Sequence, residues 1–541
     1  MPVNRWPTMA MGLPFLLLAG ALAQAQQPQV ASPTRNLRPV TDGMLRNPPA
    51  SDWLMWRRTY NAWGYSPLDQ INKDNVKNLQ VAWTWSMING ATETTPIVHD
   101  GVLYLFNYAN AIQALDGATG DLIWEYKRDL PAKLVADAGN LSSRNMAIYE
   151  DKLIAATADA HLIALDLKSG KLVWDDATAD WTKGWRHTSG PFVAGGTIVQ
   201  GMQGCGNAQP GGCFITGHDP KTGAEKWRVY TIAHPGDPNE NSWNGLPLES
   251  RFGATPWGAG SYDPDLNLVF FGTGQPYPWI AEMRGTVPRK EGFENNALYS
   301  DSTLAIEPDT GKLRWYRQHL QDDTWDLDYV YERLLIDLPV NGETRKALVT
   351  AGKLGILEVI DRSNGQWLWH KEMVPQNVVA AIDAKTGEKT INAAITPRIG
   401  QPATTCPANP GARGCRRARS VRKADCSTCR STSSARRSRP SRSIPVRPIP
   451  AAGARFSNSW RHPPPTATLA VSTRSGSPTA RRSGRTASGR PRPARFCRLA
   501  AASCSRAISG ATSGHSTRRR ARCCGKSAPT MPSIPSRSAT A

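Results

Sequence analysis

The chain has 541 residues, with 65 Lys+Arg against 44 Asp+Glu and a formal net charge of +21 at pH 7. The surplus is confined to one end: from Cys415 onward there are 28 basic residues and one acidic residue, Asp425, leaving 37 basic and 43 acidic residues in 1–414. The body is therefore mildly acidic, so the net charge is no argument for nucleic-acid binding by the chain as a whole.

At the N-terminus, Arg5, the apolar run Met9–Ala23 and small residues ending at Ala23 and Ala25 follow the order of a cleavable secretory signal over residues 1–25. Retention as an uncleaved anchor is the other reading of this run, and no other stretch is apolar enough to span a bilayer. The mature chain is expected in a periplasm, where disulfides persist. Residues 26–51 are rich in Gln, Pro and Asn and read as an extended lead-in. The longest helix-period stretch of the body is the short segment Leu68–Leu79.

From residue 114 a phrase recurs: an apolar residue, Asp or Glu, two variable residues, Thr, Ser or Asn, Gly, and Trp four residues later. It occurs at Ala114–Trp124, Ala164–Trp174, His218–Trp227, Ala305–Trp315 and Val359–Trp369, with Trp-to-Trp intervals of 50, 53, 88 and 54 residues. The acidic residue can bond the local backbone and Gly tolerates positive φ, so each phrase predicts a tight turn between strands. Short apolar runs such as Gly101–Phe106 and Lys152–Thr157 flank the phrases and read as strands. A tryptophan in the same place each time can pack one unit against the next. Repeats of about this length predict an all-β propeller over residues 52–414. A Trp-less echo follows at Ala381–Gly387.

Extra length in a repeat maps to loops, often on the functional face. The 88-residue interval holds AlaThrProTrpGlyAla (Ala254–Ala259) and GlyThrGlyGlnProTyrProTrp (Gly272–Trp279), and AspAspThrTrpAspLeuAsp (Asp322–Asp328) lies just beyond it. With the repeat phrase, these segments resemble the quinoprotein alcohol dehydrogenases, including the methanol dehydrogenase large subunit. That family implies an eight-bladed propeller holding pyrroloquinoline quinone (PQQ) and a metal ion, calcium or a lanthanide, with about five blades covered here.

The resemblance assigns roles one residue at a time. Asp326 matches the general base that takes the alcohol proton as hydride moves to the quinone. Asp328 matches the extra carboxylate of lanthanide-dependent members, where added hard oxygen donors suit a trivalent ion. Gln275 stands at the place of a metal-ligating Asn and retains a carbonyl donor. Trp257 matches the floor on which the quinone stacks. Thr188 and Thr255 match hydroxyl contacts to the cofactor, and Glu93 and Arg144 match polar contacts to a molecule that carries three carboxylates. Lys353 matches a cation beside the quinone oxygens.

Three departures accompany the match. The vicinal Cys pair of methanol-type members is absent before Arg144. The segment Gly201–Phe214, where a metal-ligating Glu belongs, has no carboxylate. Its Cys205 and Cys213 either close a small loop as a disulfide or remain two thiols. No CysXxxXxxCysHis heme-attachment motif occurs, so electrons would pass to a separate cytochrome c or quinone.

Residues 415–541 are rich in Arg, Ser, Pro and Ala, with no Tyr and seven of the ten Cys. A basic nucleic-acid arm and a disordered extension are both compatible with Arg-rich runs. Out-of-frame translation of GC-rich coding sequence accounts better for the abrupt junction and the lack of acidic residues, and no nucleic-acid partner is expected. Two function classes follow. The enzyme lineage is an exported PQQ- and metal-dependent dehydrogenase of a small primary alcohol, inactive if the later blades are missing. The other is a non-catalytic propeller that binds partner proteins.

Overall fold

Each repeat phrase closes the last two strands of an antiparallel four-stranded sheet in the computed structural model. The structure describes residues 33–412 except 138–140, 142, 207, 208, 402, 409 and 410. The signal segment 1–25, the tail 415–541 and the tail cysteines lie outside the described residues.

The five sheets have one connectivity, each strand bonded to the next in the sheet. The first comprises Ile97–His99, Val102–Phe106, Ala111–Asp116 and Leu122–Lys127. The second comprises Met146–Tyr149, Lys152–Ala156, His161–Asp166 and Leu172–Ala177. The third holds Phe192–Ala194, Thr197–Gly201, Phe214–His218 and Glu225–Tyr230. The fourth holds Ser261–Asp263, Leu268–Gly272, Ser302–Ile306 and Leu313–Gln318, and the fifth Leu334–Val340, Glu343–Ala351, Ile356–Asp361 and Trp367–Glu372. A hairpin of Val379–Ile382 and Lys389–Ile391 follows, carrying the Trp-less echo in its turn.

Why the phrase makes this turn is visible in its hydrogen bonds. Asp116 Oδ1 accepts from the backbone N–H groups of Ala118 and Thr119 at 2.8 and 3.1 Å, and Asp219 Oδ1 does the same for Lys221 and Thr222. The phrase glycine then takes positive φ, 79° at Gly120 and 74° at Gly311. A register shift recurs one residue before each turn's acidic pair, as between Ala114 and Leu115 and between Ala305 and Ile306.

The tryptophans join neighbouring sheets. Trp124 Nε1 donates to Leu167 O at 3.2 Å, Trp174 to Pro220 O at 3.2 Å and Trp227 to Pro308 O at 2.7 Å. Each acceptor directly follows the acidic residue of the next turn, and each ring lies flat against that turn's glycine, so that a Cβ on Gly311 would fall 2.7 Å from the Trp227 ring. Trp315 packs on Gly365 in the same way without the hydrogen bond.

Two details depart from the sequence reading. In the fifth sheet Trp369 is 42% exposed, and it is Trp367, two residues earlier and 8% exposed, that packs on Gly387 of the echo. Upstream, Trp83 docks on Gly120 and donates to Gly117 O at 3.2 Å, a sixth docking tryptophan with no turn phrase before it. Residues 79–88 around it run outside any strand, and Leu79 and Val81 are exposed. The helix-period stretch Leu68–Leu79 forms only a 3-10 turn at Val76–Asn78, since its apolar side chains remain exposed and bury no stripe. Among its described residues, from 33 on, the lead-in is irregular apart from a 3-10 turn at Pro33–Asn36 and a helical turn at Asp42–Arg46, capped by Thr41. Among the described residues no helix is long and apolar enough to cross a membrane.

The meander also fixes where chemistry can gather. In an antiparallel four-strand unit, the first-to-second and third-to-fourth turns lie at one end. The second-to-third turns and the links between units lie at the other. The repeat phrases occupy the first end. Every site residue predicted from the sequence falls on a connection at the second.

Candidate active site

Arg144 precedes the second sheet and gathers three of the other predicted groups. Its Nη2 pairs with Glu93 at 2.5 Å, its Nη1 donates to Thr188 O at 3.0 Å, and its guanidinium carbon lies 4.8 Å from the centre of the Trp257 ring. Thr188 donates through Oγ1 to Gln203 Oε1, and Tyr331 meets Trp257 edge-on with centroids 5.4 Å apart. Arg144, Arg186, Thr188, Gln203 and Trp257 line a cavity of about 160 Å³. A larger cavity of about 370 Å³ lies by Arg317, His319 and Lys389 and contains none of these groups. The smaller one has the aromatic floor and convergent cations that a planar, multiply charged ligand requires.

On the adjoining wall, Lys353 Nζ sits 3.2 Å from Asp326 Oδ1 and 2.7 Å from Asp328 Oδ2. Lys353 lies in the second-to-third turn of the fifth sheet, and the two aspartates lie on the link leading into that sheet. Asp326 takes φ 65°, a left-handed conformation that costs a non-glycine residue energy and concentrates at functional positions. Arg333, fully buried, anchors the link by donating to the carbonyls of Tyr329, Tyr331 and Ser302. Asp328 Oδ1 accepts from Gln275 N at 3.2 Å and rests on Gly274, where a Cβ would fall 2.4 Å from it. Gly274 N in turn donates to Thr255 O at 3.1 Å, which ties this wall to the Trp257 segment.

Burial and the Asp328 carboxylate raise the Asp326 pKa above the usual range, against the opposing pull of Lys353. For Lys353 burial acts against the charge, but Asp328 and Asp326 outweigh it and the ammonium is held on. Asp323, buried below, is pushed up to about 6 by desolvation although it accepts from the N–H groups of Trp325 and Leu327. Asp301 is fully buried, and neither carboxyl oxygen has a hydrogen-bond partner. Burial, reinforced by Asp323 and Asp328, raises its pKa strongly.

Asp326 and Asp328 flank the Lys353 ammonium, and the carboxyls of Asp323 and Asp301 lie near enough to interact with it. Carboxyl groups of this kind are hard oxygen donors, which fit a calcium-like or lanthanide cation. The loop after Gly201 adds no carboxylate. Instead Cys205 and Cys213 are joined by a disulfide with Cα atoms 5.0 Å apart. Cys205 Sγ lies 3.5 Å from Thr255 Oγ1. Thr255 therefore meets sulfur as well as the Gly274 backbone.

Residues 53–391 match the family model described as glucose/ethanol/alcohol dehydrogenase, beta-propeller domain, of the PQQ type. The chain belongs to this family. Quinohemoprotein alcohol dehydrogenase ADH IIB of Pseudomonas putida is 35% identical over 351 residues, covering 62% of this chain and 49% of that protein. The solved structure of quinohemoprotein alcohol dehydrogenase ADHIIG from Pseudomonas putida HK5 superposes with a TM-score of 0.63 at 31% identity, over 70% of this chain and 56% of that one. A europium-containing methanol dehydrogenase superposes at 0.61 and 28% identity, over 68% and 66%. The chain spans about half the length of the curated relatives it matches.

The sequence reading did not single out Arg186, Gln203, Asp301 or Tyr331. A lone Arg or Asp on a loop carries no local signature, and only the folded connections bring Arg186, Gln203 and Tyr331 to the Trp257 cavity and Asp301 to the Lys353 cluster.

Proposed function

We propose that this family member is the propeller body of an exported, PQQ- and metal-dependent oxidoreductase that oxidises a small primary alcohol. Hydride would pass to the quinone and electrons onward to a separate cytochrome c or quinone. The observation that carries the reading is the convergence of the Lys353–Asp326–Asp328 cluster and the Trp257–Arg144–Glu93 cavity on one end of the sheets. When bound, the quinone supplies the hydride acceptor and the ion, calcium or a lanthanide, a Lewis acid.

The chain's own residues do the rest. Trp257 gives a flat floor, and Arg144, held by Glu93, fixes a carboxylate at the floor's edge. Asp326 accepts the alcohol proton. A cation against Asp326 and Asp328 favours the ionised form that a base requires, reversing the effect of burial. Lys353, tethered by both aspartates and donating to Asp326 O at 3.0 Å, is positioned to stabilise negative charge on a neighbouring oxygen.

The test is dye-linked oxidation of ethanol by the full chain with PQQ and calcium or lanthanum, beside Asp326→Asn. Turnover that falls by about a hundredfold or more in the variant supports the role of Asp326, and equal turnover in both removes it. PQQ binding without turnover is the outcome expected of an inactive lineage member. Failure to bind PQQ would leave the protein-binding propeller as the better reading. Export rests on residues 1–25, and absence of the protein from a periplasmic fraction would refute it.

A further inference from the structure

Two guanidinium groups line the 160 Å³ cavity, and they differ in how their charge is met. Arg144 has Glu93 at 2.5 Å and Thr188 O at 3.0 Å. Arg186 has no ion pair and no side-chain hydrogen bond among the described residues, and its Nε is buried without a partner. Its backbone is pinned by a two-way bridge to Gln203, with N–O distances of 2.9 and 3.0 Å, so the side chain springs from a fixed point beside Thr188. A guanidinium remains charged at any physiological pH. Arg186 is half-buried, and withdrawing part of a guanidinium from water without a counter-charge is costly unless a ligand supplies one.

We propose that Arg186 is a second carboxylate-binding residue of this pocket and engages a carboxylate of the planar quinone cofactor that Arg144 leaves unmatched. The inference rests on the reading that PQQ occupies the cavity. Charge decides between cofactor and substrate as the source of the anion. On the adjoining wall, where the alcohol must meet Asp326, the Lys353 ammonium is already engaged by Asp326 and Asp328 and leaves no free cation for an anionic substrate among the described residues. The cavity over Trp257 is lined by two guanidinium groups, of which only Arg144 is met by an acid, Glu93. A tricarboxylate suits the second environment and not the first. The sequence around Arg186, TrpArgHisThrSerGly, shows no motif for this, and the role emerges only from the missing counter-ion.

The experiment titrates the full, cofactor-free chain with PQQ and with its trimethyl ester, which keeps the ring and lacks the charges, following quenching of tryptophan fluorescence. Wild type, Arg186→Gln and Arg186→Lys are compared. Charge-assisted hydrogen bonds of this kind predict that Arg186→Gln weakens PQQ binding roughly ten- to a hundredfold, with Arg186→Lys in between and ester binding unchanged. Equal PQQ affinity in wild type and Arg186→Gln overturns the inference while leaving the cofactor reading intact. Equal weakening of acid and ester also overturns it, because the residue would then support the pocket's shape. If wild type binds neither compound, the cofactor reading fails and takes the inference with it.

Discussion

Replacing a docking tryptophan tests whether the sheets are held together as the structure indicates. Trp227 is 8% exposed, lies against Gly311, and donates to Pro308 O at 2.7 Å. Trp227→Ala removes a nearly buried indole that packs in the hydrophobic core and against Gly311, leaving a cavity that costs about 3–5 kcal/mol. The orphaned Pro308 carbonyl falls within the upper part of that range. Trp227→Phe keeps most of the packing and loses the hydrogen bond, for about 1 kcal/mol. Trp369→Ala, at the position that the sequence phrase marks as equivalent, removes a ring that is 42% exposed and is expected to cost under about 1 kcal/mol. Urea unfolding of the full chain followed by circular dichroism gives all three values. If Trp227→Ala and Trp369→Ala prove equally damaging, the docking assignment is wrong and the phrase alone was the better guide.

Removing the disulfide as the Cys205→Ser/Cys213→Ser pair frees a loop with a sequence separation of 8, and chain entropy predicts a loss of about 2.5 kcal/mol in urea unfolding; no change would show that the bridge constrains nothing. Arg333→Met removes the guanidinium donor from the carbonyls of Tyr329 and Tyr331, so a loss of about 3 kcal/mol or more is expected together with weaker PQQ binding by fluorescence. Wild-type stability with unimpaired binding would refute its role as anchor of the Asp326 link. Asp301 has its pKa raised by folding, so the folded state holds a proton that the unfolded chain releases above about pH 4. Its contribution to stability therefore falls as pH rises from that point, by up to about 1.4 kcal/mol per pH unit, until the folded carboxyl itself ionises. Asp301→Asn should flatten the decline of stability with pH in this window, and an unchanged slope would show that Asp301 is ionised in the folded chain.

The amino-acid sequence determined the repeat. An acidic residue and a Thr-Gly pair specify turn and bulge through contacts within about a dozen residues, and the tryptophan recurring at one place marks the ring that meets the next sheet, so five sheets and their turns could be read without coordinates. The predicted groups Glu93, Arg144, Thr188, Trp257, Gln275, Asp326, Asp328 and Lys353 also carried a family signature, and the fold brings them together on one end of the sheets. Their pairings were not legible, because Arg144 meets Glu93 across 51 residues and Lys353 meets Asp326 across 27.

Only tertiary structure decided the rest. That Trp367 rather than Trp369 docks is seen only where its ring lands on Gly387 of the next hairpin. Trp83 has no phrase before it, and its role appears only where it lands on Gly120. Arg186 and Asp301 acquire meaning from what surrounds them: one half-buried cation without an anion among the described residues, one buried carboxyl without a donor. Charge without a partner is a property of an enclosed volume, and no stretch of sequence contains one.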